Sequence, residues 1–157
     1  MSAVEDRLAE LGLVVPEVVP PVAAYVPAVR QGDMVYVSGQ LPMVSGVMPA
    51  TGKVGDGHGL VPASDAQQLA EVCALNAIAA VKAVIGDLDK VVRVVKLVGF
   101  VASDPSFTGQ PGVVNGASEL LGKAFGEAGV HARSAVGVVA LPLDAPVEVE
   151  LVVAVRD

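Results

Sequence analysis

The sequence predicts an α+β domain in which two helices pack on one face of a mixed β-sheet. Strand-like and helix-like apolar patterns alternate along the chain in the order β-β-α-β-α-β-β, which is typical of a layered α+β fold. The chain has 157 residues, of which 53% are hydrophobic and 17% are charged, so it can bury one sizeable core. We therefore expect a single domain over residues 1–157, with residues 1–20 as an N-terminal extension.

The first part of the chain is predicted to hold a short helix and two strands. Residues 3–11 have an amphipathic helical pattern, which Gly12 ends. Two runs rich in Val, Val22–Val29 and Met34–Leu41, are predicted strands separated by a tight turn. The glycine- and proline-containing residues Pro42–Pro62 are predicted to form a loop.

The longest helix is predicted to begin at Ser64, because Ser64 followed by Gln67 matches a capping box. Its apolar residues keep helical spacing up to Ile85, and Gly86 follows as a stop signal. The polar Asn76 falls on the apolar stripe of this helix. A buried amide must find hydrogen-bond partners, so we expect its side chain to bond backbone groups.

One strand, one helix and two further strands complete the pattern. They are predicted at Val91–Ala102, Pro111–Ala128, Ser134–Leu141 and Val147–Val155. Residues 142–146 join the last two strands, which is compatible with a hairpin pairing between them. With both helices on one face, the other face of the sheet still carries many Val residues, and a second subunit is the expected cover.

Charge and hydropathy argue against several classes of partner. The net charge is −7 and the isoelectric point is about 4.7, with bases spread along the chain, so nucleic acid is not expected as a partner. The longest apolar stretch, residues 69–85, is interrupted by Glu71, Asn76 and Lys82, so no membrane span is expected. Acids stand near the start where a secretory leader would carry bases. These features predict a cytoplasmic protein.

Residue types that commonly hold metals or cofactors are sparse. Cys73 is the single cysteine and lies in an apolar helical stretch, where a buried structural thiol is expected. His58 and His131 lie far apart in the sequence without the spacing of metal ligands. The glycine-rich residues 55–59 are not followed by the Gly-Lys-Ser/Thr of a phosphate-binding loop. We expect neither a metal nor an organic cofactor.

Polar residues in apolar surroundings are the remaining candidates for a site. Arg133 precedes a strand whose other residues carry no charge, and Glu148 and Glu150 alternate with apolar residues on another strand. Acids in that pattern ordinarily form the solvent-facing side of a sheet. Residue types and spacing alone leave two interpretations open: a solvent-facing surface of the sheet, or a functional site.

Four segments of the chain resemble the RidA (YjgF-type) family, and they occur in the family's order. They are Ala-Ala-Tyr25-Val-Pro-Ala-Val, Val-Tyr-Val-Ser38-Gly-Gln, Val-Val-Asn115-Gly-Ala-Ser-Glu and Ala-Arg133-Ser-Ala-Val-Gly-Val-Val-Ala-Leu-Pro-Leu-Asp-Ala-Pro-Val-Glu148-Val-Glu. The last segment is the most specific. Together the four cover nearly the whole chain from Tyr25 onward.

This resemblance implies a chorismate-mutase-like α+β fold and a homotrimer with clefts between neighbouring subunits. The activity it implies is the cofactor-free hydrolysis of reactive 2-imino (enamine) acids to 2-oxo acids and ammonia. Arg133 would bind the substrate carboxylate, and Glu148 would position or activate the attacking water. The other residues that the resemblance places at the pocket are Tyr25, Ser38, Gly39, Asn115 and Ala135.

The geometry of the last two strands indicates whether one subunit could hold both Arg133 and Glu148 in a single site. If the last two strands pair as a hairpin, Arg133 and Glu148 are roughly 23 Å apart and on opposite faces, so they could hold one small acid only across a subunit interface. Departures from the family pattern, such as Ala135 for a frequent Cys and His131 for a frequent Pro, leave the substrate open.

Two other functions remain to be weighed against the deaminase. A non-catalytic trimer that binds small carboxylic metabolites or client proteins would need Arg133 but not Glu148. Ribonuclease activity has also been attached to this family. The acidic charge and the lack of a basic, aromatic surface pattern in the sequence argue against it.

Overall fold

The computed structural model describes residues 1–21 and 23–157. Its helices are α1 (Ala3–Glu10), α2 (Ala63–Ile85) and α3 (Gln110–Phe125). Its strands are β1 (Ala28–Gln31), β2 (Met34–Gln40), β3 (Val91–Ala102), β4 (Ala132–Val138) and β5 (Val147–Val155). The predicted α+β class is confirmed, and the predicted bounds of β3 and β5 match the structure.

The five strands form one mixed sheet in the order β1-β2-β5-β3-β4. β3 and β4 are parallel, while the other neighbours are antiparallel. Parallel neighbours need a crossover connection, and α3 supplies it between β3 and β4. This topology places β5 in the middle of the sheet and β4 at one edge.

The core lies between the sheet and the pair α2 and α3, with α1 against α3. Every second residue of β5, from Val147 to Val155, is buried, and the residues between them are less buried. The alternation that predicted this strand therefore separates the helix-covered face of the sheet from an open face. Asn76 of α2 donates from Nδ2 to the carbonyl oxygens of Leu41 and Met43, at 3.0 Å each, which confirms its predicted role.

The close contact between α2 and α3 predicts a large difference between two glycines of α3. A Cβ on Gly116 would clash with the backbone carbonyl oxygen of Gln67, whereas a Cβ on Gly122 would meet nothing within 4 Å. We expect Gly116→Ala to lower the free energy of unfolding by about 1–3 kcal/mol because the helices must separate. We expect Gly122→Ala to raise it by up to about 1 kcal/mol through helix propensity. Urea denaturation of both variants measures this contrast, and equal effects would contradict it.

Three predicted elements have boundaries that differ from the structure by more than one residue. The first strand, predicted at Val22–Val29, begins only at Ala28; Val22 lies outside the described residues, and residues 23–27 form bends or irregular backbone. Pro27 has no N–H to donate to a strand ladder, which agrees with a start just after it. The strand predicted at Ser134–Leu141 lies at Ala132–Val138. The helix predicted to reach Ala128 ends at Phe125 and continues as a short 3-10 turn.

The predicted capping box of α2 was wrong. The helix begins at Ala63, one residue before Ser64, and its N-cap is Pro62 with no side-chain cap. Ser64 is therefore already inside the first turn. The predicted end was correct: Gly86 has φ +77° and its N–H donates to the carbonyl oxygen of Lys82, as expected for a glycine that ends a helix.

The last two strands do not pair as the hairpin that the 23 Å distance assumed. β4 pairs with β3, and β5 pairs with β3 and β2, so the two strands are not neighbours. The connection includes a turn in which Leu143 and Asp144 have positive φ, and it crosses the end of β3. β5 is buried at alternate positions and lies in the centre of the sheet, between β2 and β3. Pairing with these two strands excludes pairing with β4, although the connection to β4 is short.

Among the described residues, α2 is the one helix long and apolar enough to cross a membrane by length and composition. Its most apolar window is 56% buried inside the domain, where it contacts α3, β2 and β5. A core helix has this pattern. Burial against the sheet thus explains its apolar composition without a membrane.

Candidate active site

The structure places the residues expected at a site in two groups. The arginine group, on β4 and α3, holds Arg133 and Asn115. The glutamate group, on β2, β5 and the bends before β1, holds Tyr25, Ser38, Gly39 and Glu148. Ala135 lies two residues after Arg133 on β4, where it pairs with Gly99 of β3 and packs against the core.

The Arg133 side chain is fixed by hydrogen bonds to α3. Its Nη1 donates to Asn115 Oδ1 at 2.8 Å and to Ser118 Oγ at 3.2 Å, and its Nη2 donates to the carbonyl oxygen of Pro111 at 3.1 Å. Asn115 and Ser118 are three residues apart and so lie on one face of the helix. On β4, Arg133 pairs with the buried Leu97 of β3, which directs its side chain to the helix-covered face.

These bonds leave one edge of the guanidinium available. A guanidinium has five N–H donors, and three of them are used by α3. The Nε–H and one N–H of Nη2 have no partner in residues 1–21 and 23–157. The Nε and Nη2 edge has the spacing of the two oxygens of a carboxylate. Arg133 is thus held in place and half-buried, with a two-donor fork free to bind an anion.

Ser118 and His131 extend this group and were not predicted as part of it. His131 Nδ1 lies 2.6 Å from the carbonyl oxygen of Gly129, and its Nε2 lies 2.9 Å from Ser118 Oγ. Because a carbonyl only accepts, Nδ1 carries the proton of the neutral ring, and Nε2 accepts from the Ser118 hydroxyl. Ser118 Oγ in turn accepts from Arg133. The helical spacing of Asn115 and Ser118 was the one sequence signal for this arrangement.

Gly39 makes room for the carboxylate of Glu148. The pairing of β2 with β5 shifts between Val37 and Gln40, so Ser38 and Gly39 form an irregularity in β2. A Cβ at Gly39 would clash with Glu148 Oε1, so a larger residue would displace the carboxylate.

Ser38 ties the bends before β1 to the glutamate group. Its hydroxyl donates to the carbonyl oxygen of Val26 at 2.7 Å, and its N–H donates to that of Pro27 at 2.8 Å. These bonds hold the segment that carries Tyr25 next to β2.

The surroundings of Glu148 raise the pKa of its carboxyl. The side chain is half-buried, and loss of hydration is the larger cause, because burial disfavours the charged form. The negative charge of Glu150, on the same face of β5, raises the pKa further. A carboxyl with a raised pKa is a stronger base than an exposed glutamate, which suits it to accept a proton from water.

A cavity of about 160 Å³ adjoins the glutamate group. Tyr25 and Gly39 line it together with residues from the N-terminal extension, from the end of β2 and from the loop after β2. The others are Val19, Pro20, Pro21, Pro27, Gln40, Leu41, Met43 and Gly46. Gly39 therefore contacts both the cavity and the carboxylate of Glu148.

One subunit does not bring Arg133 and Glu148 to the same small molecule. Arg133 pairs with Leu97 on the helix-covered face, and Glu148 pairs with Phe100 on the open face. Three residues along β3 and two strand spacings separate their backbones by roughly 14 Å. This replaces the distance of roughly 23 Å expected from the hairpin, while the placement on opposite faces is the same.

Within the described part of the chain, no three His, Cys, Asp or Glu side chains cluster in a way that could hold a metal ion. Cys73 is buried beneath the sheet, and its Sγ lies 3.7 Å from the carbonyl oxygen of Val147. Burial raises the pKa of this thiol well above its ordinary value. A thiol in that environment is unreactive, so Cys73 is not a candidate nucleophile.

Comparison with known proteins identifies one family over nearly the whole chain. A family model described as "YjgF/chorismate mutase-like, putative endoribonuclease" matches residues 5–155. Protein TCP17 of Trypanosoma cruzi is 46% identical over 153 residues, which cover 96% of this chain and 92% of TCP17.

Two solved structures extend the comparison. The protein Atu1372 of Agrobacterium tumefaciens, of unknown function, is 48% identical with a TM-score of 0.90, covering 98% of this chain and 93% of its own. TdcF of E. coli, crystallised with bound serine, is 26% identical with a TM-score of 0.61, covering 90% of this chain and 94% of its own. The similarity therefore extends over nearly the whole domain, including both groups of candidate residues.

Proposed function

The chain belongs to the YjgF/RidA family, and from this premise we propose that it hydrolyses 2-imino and enamino acids to 2-oxo acids and ammonia. The observation that carries the proposal is the guanidinium of Arg133, which three hydrogen bonds to α3 fix with one edge free. A fork held in this way matches a small carboxylate without further rearrangement. We place this reaction in the cytoplasm, where pyridoxal-phosphate enzymes release such imines.

The chemistry follows from the two charged groups. With the carboxylate held by Arg133, Glu148 accepts a proton from a water molecule as the water oxygen bonds to the imine carbon. The electron pair of the C=N bond moves to nitrogen, which takes up the proton that Glu148 has accepted. Collapse of the resulting tetrahedral carbon transfers the hydroxyl proton through Glu148 to the nitrogen, breaks the C–N bond, releases ammonia and leaves the C=O of the 2-oxo acid. Water is the only co-reactant, and no net electrons are transferred.

The site is proposed to lie between subunits of a homotrimer. The open face of the sheet, which carries Glu148, also exposes apolar side chains that a second subunit would cover; Tyr36 is 51% and Val136 is 42% exposed. Such a contact would place the glutamate group of one subunit opposite the arginine group of the next. Neither group alone supplies both a carboxylate clamp and a base.

The serine bound to TdcF supports the substrate class. Serine carries a carboxylate and a nitrogen on the same carbon, as a 2-imino acid does. The same chemistry is compatible with a second function, the non-catalytic binding of small carboxylic metabolites. Binding alone would use the fork of Arg133 but would have no need for a half-buried base at Glu148.

The family description also names endoribonuclease activity. RNA binding depends on clustered bases that displace counterions from phosphates, and this chain has ten Lys and Arg against seventeen Asp and Glu. The arginine group offers one free guanidinium edge. These charges favour a small monoanionic ligand over a polyanion.

We expect Arg133→Ala to lower kcat/KM for imine hydrolysis by about 10²-fold or more, because two charge-assisted hydrogen bonds to the substrate are lost. A pyridoxal-phosphate dehydratase generates the imine, and its decay is followed with and without the protein. Arg93→Ala is the matched control, since Arg93 is exposed and donates only to the Val130 carbonyl oxygen. If the two variants hydrolyse the imine equally fast, the proposed function is wrong; salt-sensitive cleavage of RNA by the purified parent would favour the ribonuclease instead.

A further inference from the structure

We infer that the N-terminal extension determines substrate specificity, because its Val19-Pro20-Pro21 segment completes a subsite for an apolar side chain of the 2-imino acid. This inference rests on the proposed function and adds to it the class of side chain that the site accepts. It assigns a role to a segment that lies before Tyr25, the first residue to which the resemblance gives a place at the pocket.

The cavity beside Gly39 has the properties of such a subsite. Most of its lining is aliphatic or aromatic, and among the described residues that line it none is charged. Gln40 supplies the one amide side chain, and its Nε2 already donates to the carbonyl oxygen of Ser38 at 3.2 Å. A charged substrate side chain placed there would lose its hydration without meeting an opposite charge among the described lining residues. An apolar side chain would gain by leaving water.

The size of the cavity indicates which side chains can fill it. Its volume is about 160 Å³, and an apolar cavity of about 150 Å³ holds a molecule the size of benzene. Branched aliphatic side chains and a phenyl ring therefore fit. A methyl side chain would leave most of the space unfilled and gain little from burial.

The position of the cavity agrees with the chemistry. Gly39 is in its wall and also contacts the carboxylate of Glu148. In a 2-imino acid the side chain is attached directly to the carbon that water attacks. A side chain in the cavity would thus keep that carbon near the base, while the carboxylate extends toward the arginine group of the neighbouring subunit.

The extension is anchored before Val19 through α1. Arg7 Nη1 donates to the Ala124 carbonyl oxygen at 3.0 Å, and the carboxylate of Asp89 accepts from the first backbone N–H groups of the helix. Pro16 and Pro20 restrict the backbone on either side of Val19. These features favour a defined position for Val19 in the wall of the cavity.

The test compares Val19→Asp with Val14→Asp on imines of different size. Val14 belongs to the same extension but is 80% exposed and does not line the cavity. Amino-acid oxidase supplies the imines of leucine and of alanine. We expect Val19→Asp to lower kcat/KM for the leucine-derived imine by about tenfold or more, with less than about a twofold change for the alanine-derived imine. Val14→Asp should leave both values unchanged.

Two further measurements separate the possible failures. If the parent hydrolyses both imines and Val19→Asp lowers both rates equally or neither, the inference is wrong while the proposed function stands. If the parent hydrolyses no imine, the proposed function fails, and the inference about its substrate fails with it. If Val19→Asp does not fold, Val19→Ala replaces it: the larger cavity should shift preference at least about threefold from the leucine-derived toward the phenylalanine-derived imine, and an unchanged ratio would overturn the inference.

Discussion

Replacing Glu148 with glutamine is expected to lower kcat for imine hydrolysis by about 10²–10⁴-fold, because the variant has no base to take the proton of the attacking water. Glutamine keeps the size of the side chain, so its contact with Gly39 is retained. KM should change little, since Arg133 is proposed to bind the carboxylate from another position. Steady-state kinetics with the dehydratase-coupled imine measure both constants. A variant that retained the parental kcat would remove Glu148 from the mechanism and favour the binding protein.

The neighbouring Glu150 provides the control for this substitution. Its charge raises the pKa of Glu148, so Glu150→Gln is expected to lower that pKa. The base is active when deprotonated, and the rate falls as the pH drops through its pKa. The acidic limb of kcat/KM should therefore move to lower pH in Glu150→Gln, with a nearly parental rate under mildly alkaline conditions. A limb that stays in place or moves upward contradicts the assignment of Glu148 as the base.

Local sequence patterns predicted those elements in which one pattern continues from the first residue to the last. β3 and β5 have long runs of Val, and in β5 every second side chain is buried, so their bounds were correct. α2 ends where Gly86 adopts positive φ, a conformation that few other residues tolerate. Asn76 was assigned a backbone partner because a buried amide has few other choices. In each case one local property was sufficient.

The start of α2 and the pairing of the last two strands were not predicted correctly. Ser64 has the sequence of a helix cap, but Pro62 starts α2 earlier. The hairpin assumed that a short connection makes neighbours, whereas β5 is more stable between β2 and β3, where both of its edges are paired. Strand order depends on the competition of all strands for partners, and no single stretch of sequence contains that information.

For the candidate site, too, some features were predicted and others depend on contacts between distant parts of the chain. The family resemblance supplied the residues of both groups, and their roles remain predictions. It did not supply the hydrogen bonds of Ser118 and His131, because these join α3 to the residues before β4 through space. Nor did it indicate that Val19 would border the cavity beside Gly39. Those contacts arise from the path of the extension, which depends on the docking of α1.

Mixing two inactive variants is expected to restore activity if the site is shared between subunits. Arg133→Ala and Glu148→Gln each remove one of the proposed groups, so each homomer should be nearly inactive. After joint unfolding and refolding in equal amounts, an interface that joins Arg133 of a Glu148→Gln subunit to Glu148 of an Arg133→Ala subunit is intact. With random assembly in a ring, about a quarter of the sites are of this kind. The refolded mixture should therefore regain about a quarter of the parental activity.

A site within one subunit would give the opposite result. Every subunit of the mixture would then lack either the carboxylate clamp or the base, and joint refolding would restore nothing. The double variant, refolded with the parent, controls for dilution: here too about a quarter of the interfaces carry both native groups, all of them between two parental subunits. Because Arg133 and Glu148 lie on opposite faces of the sheet in one chain, recovery in the first mixture requires two chains to meet at one substrate. The experiment thereby connects the topology of the sheet directly to the chemistry of the site.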